Sequence, residues 1–289
     1  MEPLTVVALA FAPGLFWLWV FVRSNRHRPD PIALVIRTFL LGILVALPIV
    51  FVESVLTGPG GLAIDTLPEV LFSSFVVAGL AEELAKYLVV RLSLSDSPYL
   101  DEPLRGLVYA SAAALGFATL ENVGYMLDLG VEVIAPRAVT ATVGHVAFSA
   151  LWGYGLGADR LARDDKRPVR GFAILGLVGS IVAHGLYDTG AFLEDREDLL
   201  FGTLVAAVAI CVALFVRANR RSIHRGRRGA RQVVCPGCGA RSPLGKPFCA
   251  GCGGAVPRGV APLCGVCHRP VDARSAYCTQ CGAKQDAPE

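Results

Sequence analysis

The chain has 289 residues, 54% of them apolar and only 18% charged, with a net charge of +3 and a mean hydropathy of +0.54. Soluble globular domains average about 45–50% apolar and about 25% charged residues, so this composition excludes an ordinary soluble domain, and the small net charge by itself points to no partner. The apolar residues fall in long runs between residues 4 and 216 and nearly vanish after Arg217, which divides the chain into a membrane part and a polar tail.

A helix needs about 20 mostly apolar residues to cross a hydrocarbon core of about 30 Å. Seven runs qualify, approximately 4–22, 33–54, 68–91, 104–127, 137–158, 170–192 and 199–216. Each is read as a helix, because inside hydrocarbon the backbone must satisfy its own hydrogen bonds. The first run has no positive segment before it and is followed by Arg23, so it is expected to be a retained span rather than a signal peptide. Lys and Arg mark cytoplasmic loops. The first loop holds Arg23, Arg26 and Arg28, the third Arg91 and Arg105, and the fifth Arg160, Arg163, Lys166, Arg167 and Arg170. The even loops offer only Arg137 and Arg196 beside several acids. The alternation predicts an outside N-terminus and a cytoplasmic tail.

Charge inside a span costs at least about 2.5–3.5 kcal/mol on insertion scales, so each such residue marks a functional hypothesis. The third span contains Glu82, Glu83 and Lys86, with Glu82 and Lys86 one turn apart on a shared face. The fourth contains Glu121 and Asn122, the fifth His145 with Ser149 one turn on, and the sixth His184 with Asp188 one turn on. Polar glue between helices would explain any one of these. Three glutamates, two histidines, an Asn and an Asp on four successive helices exceed what glue needs, and these residue types activate water or bind metal. Glu121 lies about 7 residues, or about 10 Å, from the outer surface at 1.5 Å per residue. The four helices can therefore meet around one cavity in the outer half of the bilayer.

Residues 217–231 include seven arginines. They read as a stop-transfer flank attracted to anionic headgroups; no interleaved aromatics support nucleic-acid binding, and nucleic acid is not an expected partner. Then follow Cys235-x-x-Cys238 and Cys249-x-x-Cys252, and twenty-nine residues on, Cys264-x-x-Cys267 and Cys278-x-x-Cys281. Paired Cys-x-x-Cys knuckles bring four thiolates around one tetrahedral Zn²⁺. A disulfide framework is the alternative, and the cytoplasmic placement and the internal repeat argue against it. Four thiolates close each site, so both zincs are expected to be structural, and His268 a bystander. Cys211, in the last span, is read as a small apolar residue.

Glu82-Glu83-x-x-Lys86, Phe117-x-x-x-Glu121-Asn122, His145 and His184-x-x-x-Asp188, in this order on successive helices, resemble the PrsW family of intramembrane proteases. That family is similar to the CAAX-protease and bacteriocin-processing group. Arg28-Pro29-Asp30-Pro31 resembles the family's proline-rich first loop, and the tail resembles a double zinc ribbon. The resemblance spans roughly residues 1–216 and implies proteolysis of membrane-embedded or membrane-tethered proteins, with an anti-sigma factor as the substrate of the family's named member. It implies Glu82 or Glu83 as general base, Glu121, His145 and His184 as ligands of a divalent metal or stabilisers of the oxyanion, and Lys86, Asn122 and Asp188 in support. No His-Glu-x-x-His is present, which excludes a standard zincin.

The expected architecture is an all-α polytopic membrane bundle of about seven transmembrane helices with a small zinc-ribbon tail: a protease domain over 1–216, a basic juxtamembrane linker over 217–231 and the double ribbon over 232–289. The expected function is an intramembrane endopeptidase in the cell membrane, whose ribbons bind a cytoplasmic protein. A non-enzymatic membrane adaptor built on those ribbons is the alternative. A proton-coupled transporter is a third reading, for which the sequence shows no inverted repeat.

Overall fold

In a bilayer a helix that is polar on one face must bury that face against other helices, and one buried on all sides belongs at the centre. The computed structural model describes residues 3–24, 30–57, 65–95, 97, 99–193, 195–222, 232–243, 248–249, 251–256, 262–267 and 269–271. They divide into two compact units, Met1–Ser222 and Ile223–Glu289.

The first unit is all-helical: α1 (Pro3–Ser24), α2 (Ile32–Thr57), α3 (Leu67–Phe72), a π-helical segment Ser73–Leu80, α4 (Ala81–Leu94), α5 (Pro103–Leu129), a 3₁₀ turn Val131–Val133, α6 (Ile134–Val139), α7 (Ala141–Asp164), α8 (Phe172–Phe192) and α9 (Glu197–Arg221). The segment from Leu67 to Leu94 is one rod, so the described residues form a polytopic membrane bundle of seven long rods. Four stretches, Leu4–Arg23, Ile32–Glu53, Phe172–Phe192 and Glu197–Arg221, are apolar enough to cross a membrane by length and composition alone. The other three rods carry Glu82, Glu121 and His145, whose polarity is hidden inside. Large apolar side chains such as Leu44, Phe51, Leu92 and Val205 are more than half exposed, as a lipid-facing surface requires and a soluble monomer rarely tolerates.

Helix α5 is the axis. Every residue from Leu104 to Thr119 is buried, and its small residues admit its neighbours closely. A Cβ at Gly106 would collide with the Gly153 carbonyl of α7, and one at Gly116 with the Phe39 carbonyl of α2. From the other side of that crossing, a Cβ at Gly42 would meet the Ala113 carbonyl.

Polar contacts tie the odd-numbered connections together at one end of the bundle. Tyr109 donates to Asp30 at 3.0 Å, and the fully buried Arg105 lies between Asp30 at 3.6 Å and Asp101 at 3.5 Å. Arg37 donates to the Ser93 carbonyl at 2.8 Å, Arg160 to the Ser95 carbonyl, and Ser222 to Glu102 at 2.9 Å. Asp30 thus anchors the first loop by a buried hydrogen bond; Arg28 and Pro29 lie outside the described residues.

Two elements depart from uniform spans. The third span is π-helical over Ser73–Leu80, directly before the paired glutamates; π segments widen a helix and shift the phase of the next turns, and they concentrate at functional sites. The fifth span begins at Ala141 rather than 137, because Thr140 leaves helical geometry at φ −105°, ψ −81°. The break separates α6, which carries Arg137, from α7.

In the tail unit, β1 (Gln232–Val234) pairs antiparallel with β2 (Arg241–Pro243), placing Val233 opposite Ser242. Gly239 and Gly253 take left-handed φ of 71° and 70° just after their knuckles, a conformation glycine adopts without steric cost. The Cys235 and Cys238 sulfurs lie 3.7 Å from those of Cys252 and Cys249 respectively. Thiolates about 2.3 Å from one tetrahedral centre sit about 3.8 Å apart, whereas a disulfide needs about 2.0 Å. This cluster therefore has metal-site spacing and no disulfide. Cys264 and Cys267 begin the second knuckle pair, in which the Cys264 amide donates to the Arg269 carbonyl at 2.8 Å. Cys278, Cys281 and His268 lie outside the described residues.

Candidate active site

Lys86, fully buried on α4, is the hub. Its ammonium donates to Glu82 Oε2, Glu83 Oε1 and His145 Nδ1, each at 2.9 Å. The (i, i+3) and (i, i+4) spacing of one helical turn brings the two carboxylates to one lysine, so the charges offset one another within a single element. Phe117 of α5 caps the ammonium with its ring centroid 4.3 Å away. An ammonium can only donate, so His145 Nδ1 accepts. Nε2 of the neutral ring then carries the hydrogen and donates to Glu121 Oε2 at 2.7 Å.

The paired glutamates have different surroundings. Glu83 Oε2 accepts from Ser149 at 2.9 Å, Trp152 Nε1 at 2.9 Å and Ser180 at 2.6 Å. With Lys86 on Oε1, its carboxylate accepts four hydrogen bonds, and His184 Nδ1 lies 3.3 Å from Oε1. Glu82 Oε2, apart from Lys86, faces the two imidazoles, 3.6 Å from His145 Nδ1 and 3.8 Å from His184 Nε2. The imidazole rings meet edge to face at 5.3 Å, and Phe148 stacks on His184 at 5.1 Å. Asp188, one turn after His184 on α8, lies 3.5 Å from His184 Nε2.

Arg137 closes the site from α6. It donates to Glu121 at 3.1 Å and Asn122 Oδ1 at 2.8 Å, and its guanidinium lies 3.7 Å from the Tyr125 ring centroid. Asn122 donates onward to Thr142 at 3.1 Å. Glu82, Glu83, Lys86, His145 and His184 are at most 3% exposed. The side chains of Glu121, Arg137 and Asp188 are 14%, 14% and 16% exposed, so the site opens beside them.

Glu82, His145 and His184 each offer one ligand atom, all within 4.8 Å of one another. Two imidazoles and a carboxylate are the donor set of catalytic zinc sites that keep a position open for water, so the residues present fit a divalent metal. Lys86 already uses His145 Nδ1, so a metal and the ammonium compete for that lone pair.

All eight membrane residues expected from sequence, Glu82, Glu83, Lys86, Glu121, Asn122, His145, His184 and Asp188, come together here. Sequence reasoning missed Arg137, Trp152, Ser180 and Thr142. Helical spacing signals three of these: Thr142 and Trp152 share the face of His145 and Ser149, and Ser180 precedes His184 by four residues. Arg137 carries no such signal, because in the sequence it stands at the edge of a loop.

A family profile described as PrsW family intramembrane metalloprotease matches residues 30–216. Protease PrsW of Geobacillus kaustophilus is 31% identical over 204 residues, covering 71% of this chain and 87% of the relative. Protease PrsW of Bacillus subtilis is 32% identical over 187 residues, covering 63% and 81%, and that of Clostridioides difficile 31% identical over 205 residues, covering 68% and 83%. No solved structure matches. The matched region contains the whole buried constellation, and the chain therefore belongs to the PrsW family of intramembrane metalloproteases, proteases whose substrates are membrane proteins.

Proposed function

We propose that the chain is an endopeptidase that cleaves single-span or membrane-tethered substrates, anti-sigma-factor-like proteins among them, with Glu82 at the reacting centre and Glu83 as its anchor. The observation that carries this is the convergence of Glu82 Oε2 on His145 and His184, while Glu83 accepts four hydrogen bonds. Four donors crowd the fully buried Glu83 carboxylate, whereas Glu82 faces the groups a substrate would meet.

Glu82, His145 and His184 would hold a divalent metal, which would supply Lewis acidity to the scissile carbonyl and a more acidic bound water. The chain's own residues do the rest. Lys86 balances the charge of the two glutamates and holds their carboxylates in place. Glu121, held by Arg137, orients His145, and Asp188 orients His184. The water oxygen bonds to the carbonyl carbon, its proton passes through the carboxylate and imidazole groups, and the departing amine takes a proton as the C–N bond breaks.

The sidedness follows from arginine alternation: N-terminus outside, tail in the cytoplasm, and the opening beside Glu121 and Asp188 toward the outer half. The tail's two zincs, on Cys235, Cys238, Cys249 and Cys252 and on Cys264, Cys267, Cys278 and Cys281, serve structure, and the ribbons recruit a cytoplasmic protein. The test is cleavage of a single-span substrate by wild type and by Glu82→Gln, Glu121→Gln, His145→Ala and His184→Ala. Each is expected to lose on the order of 10²-fold or more in rate; undiminished cleavage in all four would sink the assignment and favour the adaptor reading.

A further inference from the structure

At the end of the bundle opposite the glutamates, a cavity of about 500 Å³ lies among the ends of α5, α7, α8 and α9. Its size falls within the range of about 300–1,000 Å³ usual for small-molecule sites. Four arginines line it: Arg167 and Arg170 from the α7–α8 connection, and Arg217 and Arg221 from the last turns of α9. Tyr154 adds a hydroxyl, which accepts from Arg217 Nε at 3.1 Å and fixes that guanidinium.

The cavity keeps its positive charge. The lining acid, Asp159, is buried and accepts the amides of Phe172 at 3.2 Å and Ala173 at 2.9 Å, so its carboxylate caps the start of α8. Asp165 pairs with Arg167 at 2.7 Å. Among the described residues, Arg170, Arg217 and Arg221 form no ion pair.

Apolar surface adjoins the arginines. Phe172, which lines the cavity, is 41% exposed, and Leu175, one turn further into α8, is 65% exposed. Helix α8, which supplies this rim, is an apolar span. A soluble phosphate site has no use for such a rim, whereas a lipid presents its phosphate to the guanidiniums and its acyl chains to the apolar rim. Basic pockets between the cytoplasmic ends of transmembrane helices suit phosphate headgroups, and guanidinium forks bind phosphate oxygens bidentately.

We propose that this cavity binds the phosphate headgroup of one anionic phospholipid, held by Arg170, Arg217 and Arg221 with Tyr154 as orienting partner. It is a discrete site, separate from the diffuse attraction of the arginine-rich flank beyond Ser222, and it does not depend on which residues carry the chemistry. Bound lipid would brace α9, the last helix before the tail, against α7.

The test measures lipid binding to the full-length protein in detergent by native mass spectrometry, with phosphatidylglycerol, phosphatidylcholine and inorganic phosphate as probes. Wild type is expected to retain one phosphatidylglycerol selectively. Each arginine near an anionic headgroup is worth about fivefold, so Arg217→Gln/Arg221→Gln is expected to weaken that binding about thirty-fold. Arg225→Gln/Arg227→Gln/Arg228→Gln, in the flank, is expected to bind as wild type does. If the first variant fails to fold, Arg217→Lys/Arg221→Lys keeps the charge and loses the forks, and is expected to bind several-fold more weakly. Equal retention of phosphatidylcholine, loss of binding in the flank variant instead, or unchanged binding in the lysine variant would overturn the proposal. Displacement of the lipid by equimolar inorganic phosphate would overturn the lipid assignment in favour of a soluble anion.

Discussion

Adjacent residues of the same type play different parts here because a helix turns about 100° between them. Glu82 faces the imidazoles and Glu83 faces α7 and α8, where Ser149, Trp152 and Ser180 converge on one oxygen. Removing one partner of a buried ion pair costs about 3–5 kcal/mol, because the remaining charge is left uncompensated. Both glutamates pair with Lys86, but Glu83 also accepts from Ser149, Trp152 and Ser180, so Glu83→Gln is expected to lower the thermal midpoint well beyond Glu82→Gln. In Glu82→Gln the Glu83 carboxylate still balances the Lys86 ammonium, and that variant is expected to stay folded and lose activity. Circular dichroism melts in detergent beside cleavage rates separate the two; equal losses of stability would contradict the division. Arg137 offers a second contrast. Its fork reaches Glu121 and Asn122 together, which lysine cannot reproduce, so Arg137→Lys is expected to lower the cleavage rate by about tenfold or more while leaving the melting curve close to wild type.

Helix α5 packs backbone to backbone with α2 and α7, so its glycines are set by space. Gly116→Leu would drive a side chain into the Phe39 carbonyl, and overpacking of this kind costs about 1–3 kcal/mol or more. Gly124, on the same helix, has nothing within 4 Å of the position a Cβ would occupy, and Gly124→Ala is expected to gain up to about 1 kcal/mol from helix propensity. Opposite shifts of the two melting midpoints are the expected readout. The polar spans themselves are legible in the amino-acid sequence, because Glu82/Lys86, His145/Ser149 and His184/Asp188 repeat at one-turn spacing. The π segment and the break at Thr140 are not. Both depend on how a helix is received by its neighbours, and no residue type in Ser73–Leu80 or at Thr140 announces them.

Across the whole molecule, the two units fold by different means. The bundle is stabilised by helix packing in lipid; the tail has almost no core, and a metal on its four-cysteine cluster would supply folding energy. On the proposed zinc-ribbon reading, chelation of the purified protein is expected to release two zincs and expose all eight tail cysteines to a thiol reagent, with the bundle's helical signal retained. A metal that stays bound after the tail is removed, and is lost on His145→Ala or His184→Ala, would be the membrane-domain ion. A C-terminal reporter active only in the cytoplasm is expected to be active, which checks the sidedness drawn from arginine alternation.

By itself, the amino-acid sequence determined the number and order of spans, the motif set of the PrsW family and the cluster of Cys235, Cys238, Cys249 and Cys252 in the tail, because each is a one-dimensional pattern of hydrophobicity or spacing. Tertiary structure alone decided that Glu82 faces the histidines, that Glu83 accepts from Ser149, Trp152 and Ser180, that Arg137 bonds Glu121 and Asn122 and that four distant arginines line one cavity. These depend on distances between helices, and such distances are set by which small residues let backbones approach and by the angle at which each side chain enters the shared interior.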